Sequence, residues 1–133
     1  MSRLDLVHTV DLHPNRDVRG SLTAIEGGQS IPFEILRVYF LRDVTQDRGG
    51  HAHRDTQQIV IPLAGSFVMN LSDGQESRSF LLDNPSQGLY VVPMLFIRLE
   101  RFSPDAIVLV LASTHYDKSR SIWSWDAYLE AIQ

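Results

Sequence analysis

A chain of 133 residues, 44% of them hydrophobic, has room to bury one core and little more, so a single domain over residues 1–133 is expected. Its net charge of −4 excludes the surplus of Lys and Arg that a nucleic-acid groove requires, and the absence of cysteine excludes disulfides and thiolate chemistry. No apolar run is long enough to span a bilayer, and Ser2 to Leu12 alternate polar and apolar residues unlike a secretory leader, so the expected location is the cytoplasm with no membrane partner.

Short apolar runs separated by Gly, Pro, Asn and Asp set the rhythm of the chain. Taken in order, strands are predicted at residues 4–12, 22–26, 35–42, 57–62, 66–71, 78–82, 88–92, 96–102 and 106–113. Turn signals such as Ser72-Asp73-Gly74 and Asp83-Asn84-Pro85 punctuate them. Nine strands at this spacing predict an antiparallel sandwich or barrel. Residues 118–132 are predicted to be helical, because Ile122, Trp125, Leu129 and Ile132 recur close to a 3.6-residue period.

Between the third and fourth of these strands lies His51-Ala52-His53, whose flanks also read as a strand. Side chains at i and i+2 of a strand share a face, so both imidazoles project together. In the strand before it, Arg37 and Tyr39 share one face and Leu36, Val38 and Phe40 the other. The apolar trio is expected in the core. Arg37 and Tyr39 then face either solvent, as ordinary surface residues, or a polar cavity that together with the histidines would suit an anionic, hydroxylated ligand.

An all-β chain with a His-x-His pair suggests a cupin-type barrel, where the usual ligand is a metal held by a later carboxylate and a third His. Here Gln58 stands where that pattern has Glu, residues 88–98 contain no His, and Arg48 and Arg54 flank the pair. No metal and no other cofactor is expected, and the imidazoles are read as proton-transfer or hydrogen-bonding groups suited to neutral pH. His8 and His13 read as exposed, His115 as part of a turn, Trp123 and Trp125 as helix-packing residues, and Glu100 and Asp105 as solvated carboxylates.

Several blocks carry a resemblance. They are Asp17-Val18-Arg19-Gly20-Ser21-Leu22-Thr23-Ala24-Ile25-Glu26, then Ile31-Pro32-Phe33-Glu34-Ile35-Leu36-Arg37-Val38-Tyr39, then Arg48-Gly49-Gly50-His51-Ala52-His53 and Gly88-Leu89-Tyr90-Val91-Val92-Pro93. Val110-Leu111-Ala112-Ser113 with Tyr116-Asp117 completes the set. In register over nearly the whole chain, they resemble the nucleotide-sugar 3,4-ketoisomerases, the WxcM-like family acting on dTDP-4-keto-6-deoxyglucose. The resemblance implies a double-stranded β-helix of the cupin class, a jelly-roll barrel. It implies a metal-free isomerase that turns a dTDP-linked 4-keto-6-deoxyhexose into its 3-keto isomer. It also implies a homodimer with exchanged N-terminal strands, supplying deoxysugars for glycans such as the lipopolysaccharide O-antigen.

By the same resemblance His51 shuttles the proton, Tyr39 assists it, and His53 and Arg19 are further active-site groups. Arg37, from its shared face with Tyr39, and the nearby Arg48 are candidates for binding the substrate. Ile97 departs from the family, which commonly has His or Arg there facing the sugar, and Val92 replaces a usual glycine. Ile97 is therefore a candidate substrate contact whose change implies altered stereochemistry, a different sugar, or a catalytically lapsed binding protein.

Overall fold

The computed structural model describes residues 1–133. A 3₁₀ turn, Arg3–Leu6, leads into β1 (His8–Asp11), β2 (Asn15–Asp17) and β3 (Gly20–Leu22). Then follow β4 (Arg37–Leu41), β5 (Arg48–His53), β6 (Gln58–Ala64), β7 (Phe67–Ser72), β8 (Ser77–Leu82), β9 (Gln87–Val91), β10 (Phe96–Glu100) and β11 (Ile107–Ala112). A second 3₁₀ turn, Lys118–Arg120, the two-residue β12 (Ser121–Ile122) and α1 (Trp125–Ala131) close the chain.

Two five-stranded antiparallel sheets form the jelly-roll barrel of the cupin class, in the orders β1-β9-β6-β11-β4 and β12-β5-β10-β7-β8. Period-two alternation builds the core between them. Phe67, Met69 and Leu71 of β7 point inward to meet Val108 and Val110 of β11 and Val60 of β6. Each fully buried side chain of this kind stabilises by roughly 1.5–3 kcal/mol relative to exposure.

Alternation correctly groups the residues of β4, but the side expected to be core faces out. Val38 is 56% and Phe40 62% exposed, while Arg37, Tyr39 and Leu41 turn toward the interior. The register explains the inversion. Tyr39 stands opposite Val110 and Leu41 opposite Val108, both inward residues of β11, whereas Phe40 stands opposite the outward Leu109. The outer face of this sheet is itself partly apolar, since Ile59, Ile61 and Leu111 pack there under Leu12, Ile31 and Phe33.

Three further predicted elements are corrected. Residues 4–12 split into the 3₁₀ turn and β1, and residues 22–26 contribute only Leu22 to a strand, at the end of the β2–β3 hairpin. That hairpin pairs with no other strand. The predicted helix over 118–132 survives only as α1, because Ser121 and Ile122 pair with His53 and Ala52 of β5. Ser124 then caps α1, its side chain accepting from the Ala127 N–H. Tyr128 of α1 is fully buried, its hydroxyl 3.1 Å from the Ser72 carbonyl and 2.9 Å from that of Met94, over an outer cluster of Ala52, Phe96 and Ile122.

Candidate active site

The approach to the histidines depends on two glycines. Gly49 and Gly50 have φ of +102° and +76°. At Gly49 a Cβ would lie 2.6 Å from the Ile97 carbonyl oxygen and 2.9 Å from the Arg98 Cα, so no other residue fits. Here β5 and β10 slip register by a bulge between Ile97 and Arg98. His51 and His53 follow with their rings on the inward face, 4.9 Å apart between centroids and edge to face.

They share a cavity of about 280 Å³ with Arg37, Tyr39 and Arg48. The loop after β11 adds Thr114, His115 and Tyr116, and the segment before α1 adds Ser121 and Trp123. A cavity of about 260 Å³ between β8 and β9 contains no His, Arg or Tyr and offers no comparable chemistry.

One string of polar groups crosses the site. The Gln58 side-chain N–H group donates to the Tyr39 hydroxyl at 3.1 Å and to His53 Nε2 at 3.2 Å. His53 Nδ1–H then donates to Ser121 Oγ, also at 3.2 Å. Burial, the His51 ring and Arg37 push the His53 pKa down to about 4 against a weaker pull from Asp55, so this imidazole stays neutral. Burial also lowers His51, with Arg48 acting in the same direction and a hydrogen bond at Gly49 opposing, which leaves a free base at neutral pH. Tyr39 is raised by burial above the ordinary phenol value and keeps its proton.

Arg37 completes the electrostatics. Its guanidinium carbon lies 5.5 Å from the centroids of both the Tyr39 and Tyr116 rings, and its Nε is buried with no hydrogen-bond partner. Arg98 and Arg120 reach carboxylates, but neither Arg37 nor Arg48 has one within ion-pair distance. Two unpaired cations and an orphaned N–H in one cavity fit an anion such as a diphosphate. No three His, Cys, Asp or Glu side chains converge anywhere as a metal-binding group. Gln58, which stands where the metal-binding sequence pattern has Glu, is held by His53 and Tyr39.

Of the candidate residues, the fold brings together His51, His53, Tyr39, Arg37 and Arg48. Two lie elsewhere. Arg19 sits at the turn of the β2–β3 hairpin, which pairs with neither sheet; it is paired with Asp17 and its side chain is 86% exposed. Ile97 is opposite His51 in register and turns inward, but it packs into the apolar core and does not line the cavity. Arg98 stays on the outer face beside Phe96 and Trp125.

Sequence reasoning missed Gln58 as a linker, Ser121 and His115 as cavity residues, and Trp123, which lines the cavity instead of packing under a helix. Ser124 was the available signal, since a serine N-cap there starts the helix after Trp123.

Comparison with known proteins adds three findings. The family model described as FdtA, WxcM-like, C-terminal, matches residues 5–133. Over 118 residues the chain is 41% identical to TDP-4-oxo-6-deoxy-alpha-D-glucose-3,4-oxoisomerase of Aneurinibacillus thermoaerophilus, covering 87% of this chain and 85% of that protein. Its fold matches crystal structures of QdtA, a sugar 3,4-ketoisomerase from Thermoanaerobacterium thermosaccharolyticum. The complex with TDP superposes with a TM-score of 0.92 at 35% identity, over 95% of this chain and 93% of that one. A histidine-to-asparagine mutant of the same enzyme, in complex with TDP-4-keto-6-deoxyglucose, gives 0.92 at 34% identity over the same shares.

Proposed function

The chain belongs to the FdtA, WxcM-like C-terminal family, whose relatives here are sugar 3,4-ketoisomerases, and from that membership we propose that its cavity converts a TDP-linked 4-keto-6-deoxyhexose into the 3-keto isomer. The observation that carries the reading is the string Ser121–His53–Gln58–Tyr39, beside a neutral His51 and an unpaired Arg37 in one cavity.

Isomerisation moves two protons. His51 takes the proton from C3; the C–H electron pair becomes the C3=C4 double bond, and the carbonyl pair moves onto O4. The imidazolium returns its proton to C4, while the O3 hydroxyl proton passes to O4 as the C3 carbonyl forms. Burial suits His51 to start neutral, and a protonated Tyr39 suits the donor that meets O4 and relays the oxygen-bound proton. His53 is too weak a base to shuttle and serves to orient Tyr39 through Gln58. Arg37 and Arg48 take the diphosphate.

The test is solvent-deuterium exchange with TDP-4-keto-6-deoxyglucose. Mass gain with conversion to the 3-keto sugar is expected, and substrate that binds yet is neither converted nor deuterated would reduce the protein to a lapsed binder. Ile97 does not favour that second reading, since it lies in the core and leaves the polar string intact.

We assign Arg19 to the partner's cavity in a homodimer. Its own hairpin pairs with neither sheet, and Val18 at the tip is wholly exposed. Exposed Val38 and Phe40 add an apolar face for the second copy. Within one chain β1 pairs with β9, and an exchange of N-terminal strands would reproduce that pairing across subunits. Mixing inactive Arg19→Ala and His51→Asn chains tests this: a mixed dimer regains one intact site if Arg19 acts across the interface, and none if it acts within its own chain. The same reading puts the enzyme in the cytoplasm, making a deoxysugar for a glycan such as the O-antigen; loss of that sugar from a deletion strain is the corresponding test.

A further inference from the structure

Trp123 is placed by two local constraints. It lies between β12, which is tied to β5, and the Ser124 cap of α1, and its indole N–H donates to the Lys118 carbonyl at 3.1 Å. The ring is thereby fixed 5.6 Å from the His51 ring, centroid to centroid, with the planes only 33° apart. It is 52% exposed, so it covers one side of His51 without being part of the core.

A proton shuttle must carry positive charge between its two transfers, and the surroundings of His51 oppose that charge. From its own strand come Arg48 and His53, from β4 Arg37 and Tyr39, from the loop after β11 His115, Tyr116 and Asp117, and from the second 3₁₀ turn Arg120. The one carboxylate among them, Asp117, accepts from the Ser119 N–H and O–H and makes no ion pair with His51. Besides the hydrogen bond at Gly49, the electron-rich face of the indole is positioned to offset the charge. A cation within about 6 Å of a tryptophan ring centroid gains from the ring quadrupole.

We propose that Trp123 is a positioning residue that stabilises the protonated form of His51 by a cation–π contact during proton transfer. This rests on His51 being the shuttle, and the experiment separates the two claims because part of it needs no substrate.

The proton NMR titration of His51 in the unliganded protein, assigned against His51→Asn, is compared among wild type, Trp123→Phe and Trp123→Leu. Loss of the ring in Trp123→Leu is expected to lower the His51 pKa by about half a pH unit and kcat about threefold, with KM nearly unchanged. Trp123→Phe keeps a weaker quadrupole and falls between. A structural shield has the opposite sign, since letting water reach a buried imidazole raises its pKa. A raised or unmoved pKa in Trp123→Leu, or a rise in KM with kcat intact, overturns the proposal. Should Trp123→Leu fail to fold, a Trp123→Phe titration identical to wild type overturns it equally. If the wild-type enzyme neither converts the substrate nor exchanges deuterium, the shuttle reading fails while the titration still decides whether Trp123 supports the imidazolium.

Discussion

The two faces of β5 bury their side chains in opposite ways. Outward, Ala52 lies fully buried under α1, where the Tyr128 hydroxyl reaches two backbone carbonyls and the cluster is otherwise apolar. Inward, His51 and His53 share a cavity with Arg37 and Arg48, which lack counter-charges, and the Arg37 Nε is left without a partner. A native fold rarely leaves a buried polar atom unpaired, so the satisfied face is read as stability and the unsatisfied one as a place for ligand. The same strand serves both because period two sends adjacent residues to opposite layers.

Substitutions on the two faces should therefore separate activity from stability. The largest effect is expected inside. His51→Asn is expected to lower turnover by about 10²–10⁴-fold while TDP binding and folding persist, as read by steady-state kinetics and titration calorimetry. Turnover close to wild type would break the inner half of the comparison.

Arg37→Met sharpens it further. TDP affinity is expected to fall about 10- to 100-fold through loss of charge-assisted bonds, yet the unliganded protein should be no less stable in denaturant, because an unpaired buried group has been removed. A clear loss of unliganded stability would make Arg37 a structural residue.

On the outer face, Tyr128→Phe is expected to cost about 1–2 kcal/mol of stability, by removing the one hydroxyl proton shared between two backbone carbonyls, and to leave kcat and KM alone. A kinetic effect as large as that of Arg37→Met would erase the distinction between the faces.

The smallest effect is in pH dependence. His53 has a folded pKa of about 4 against an ordinary 6.5, so the unfolded chain binds more protons in that window. The stability associated with its neutral form is full above pH 6.5 and is lost as pH falls toward about 4. A drop of ~1 kcal/mol by pH 5 is expected after allowance for solvent screening, measured as melting temperature against pH. His53→Gln should flatten that slope, and an unchanged slope would assign it to other groups.

The strands between residues 35 and 113, the jelly-roll class and the pairing of His51 with His53 and of Arg37 with Tyr39 were legible because each follows from local alternation or motif. The C-terminal segment was not. Ile122 fits a helical period, but pairing of Ser121 and Ile122 with β5 outweighs that propensity, and the strand it forms delivers Ser121 and Trp123 to the cavity. Gln58 read as a missing carboxylate, and only its neighbours across the barrel reveal it as the link between Tyr39 and His53.

Sequence alone determined which side chains travel together, since a two-residue repeat is a property of the extended backbone wherever it lies. Tertiary structure decided which of those sets faces inward. Register with β11 turns Tyr39 toward the interior and leaves Phe40 outside, against the preference of either side chain taken singly. Burial is a sum over contacts from distant strands, and no stretch of chain contains that sum within itself.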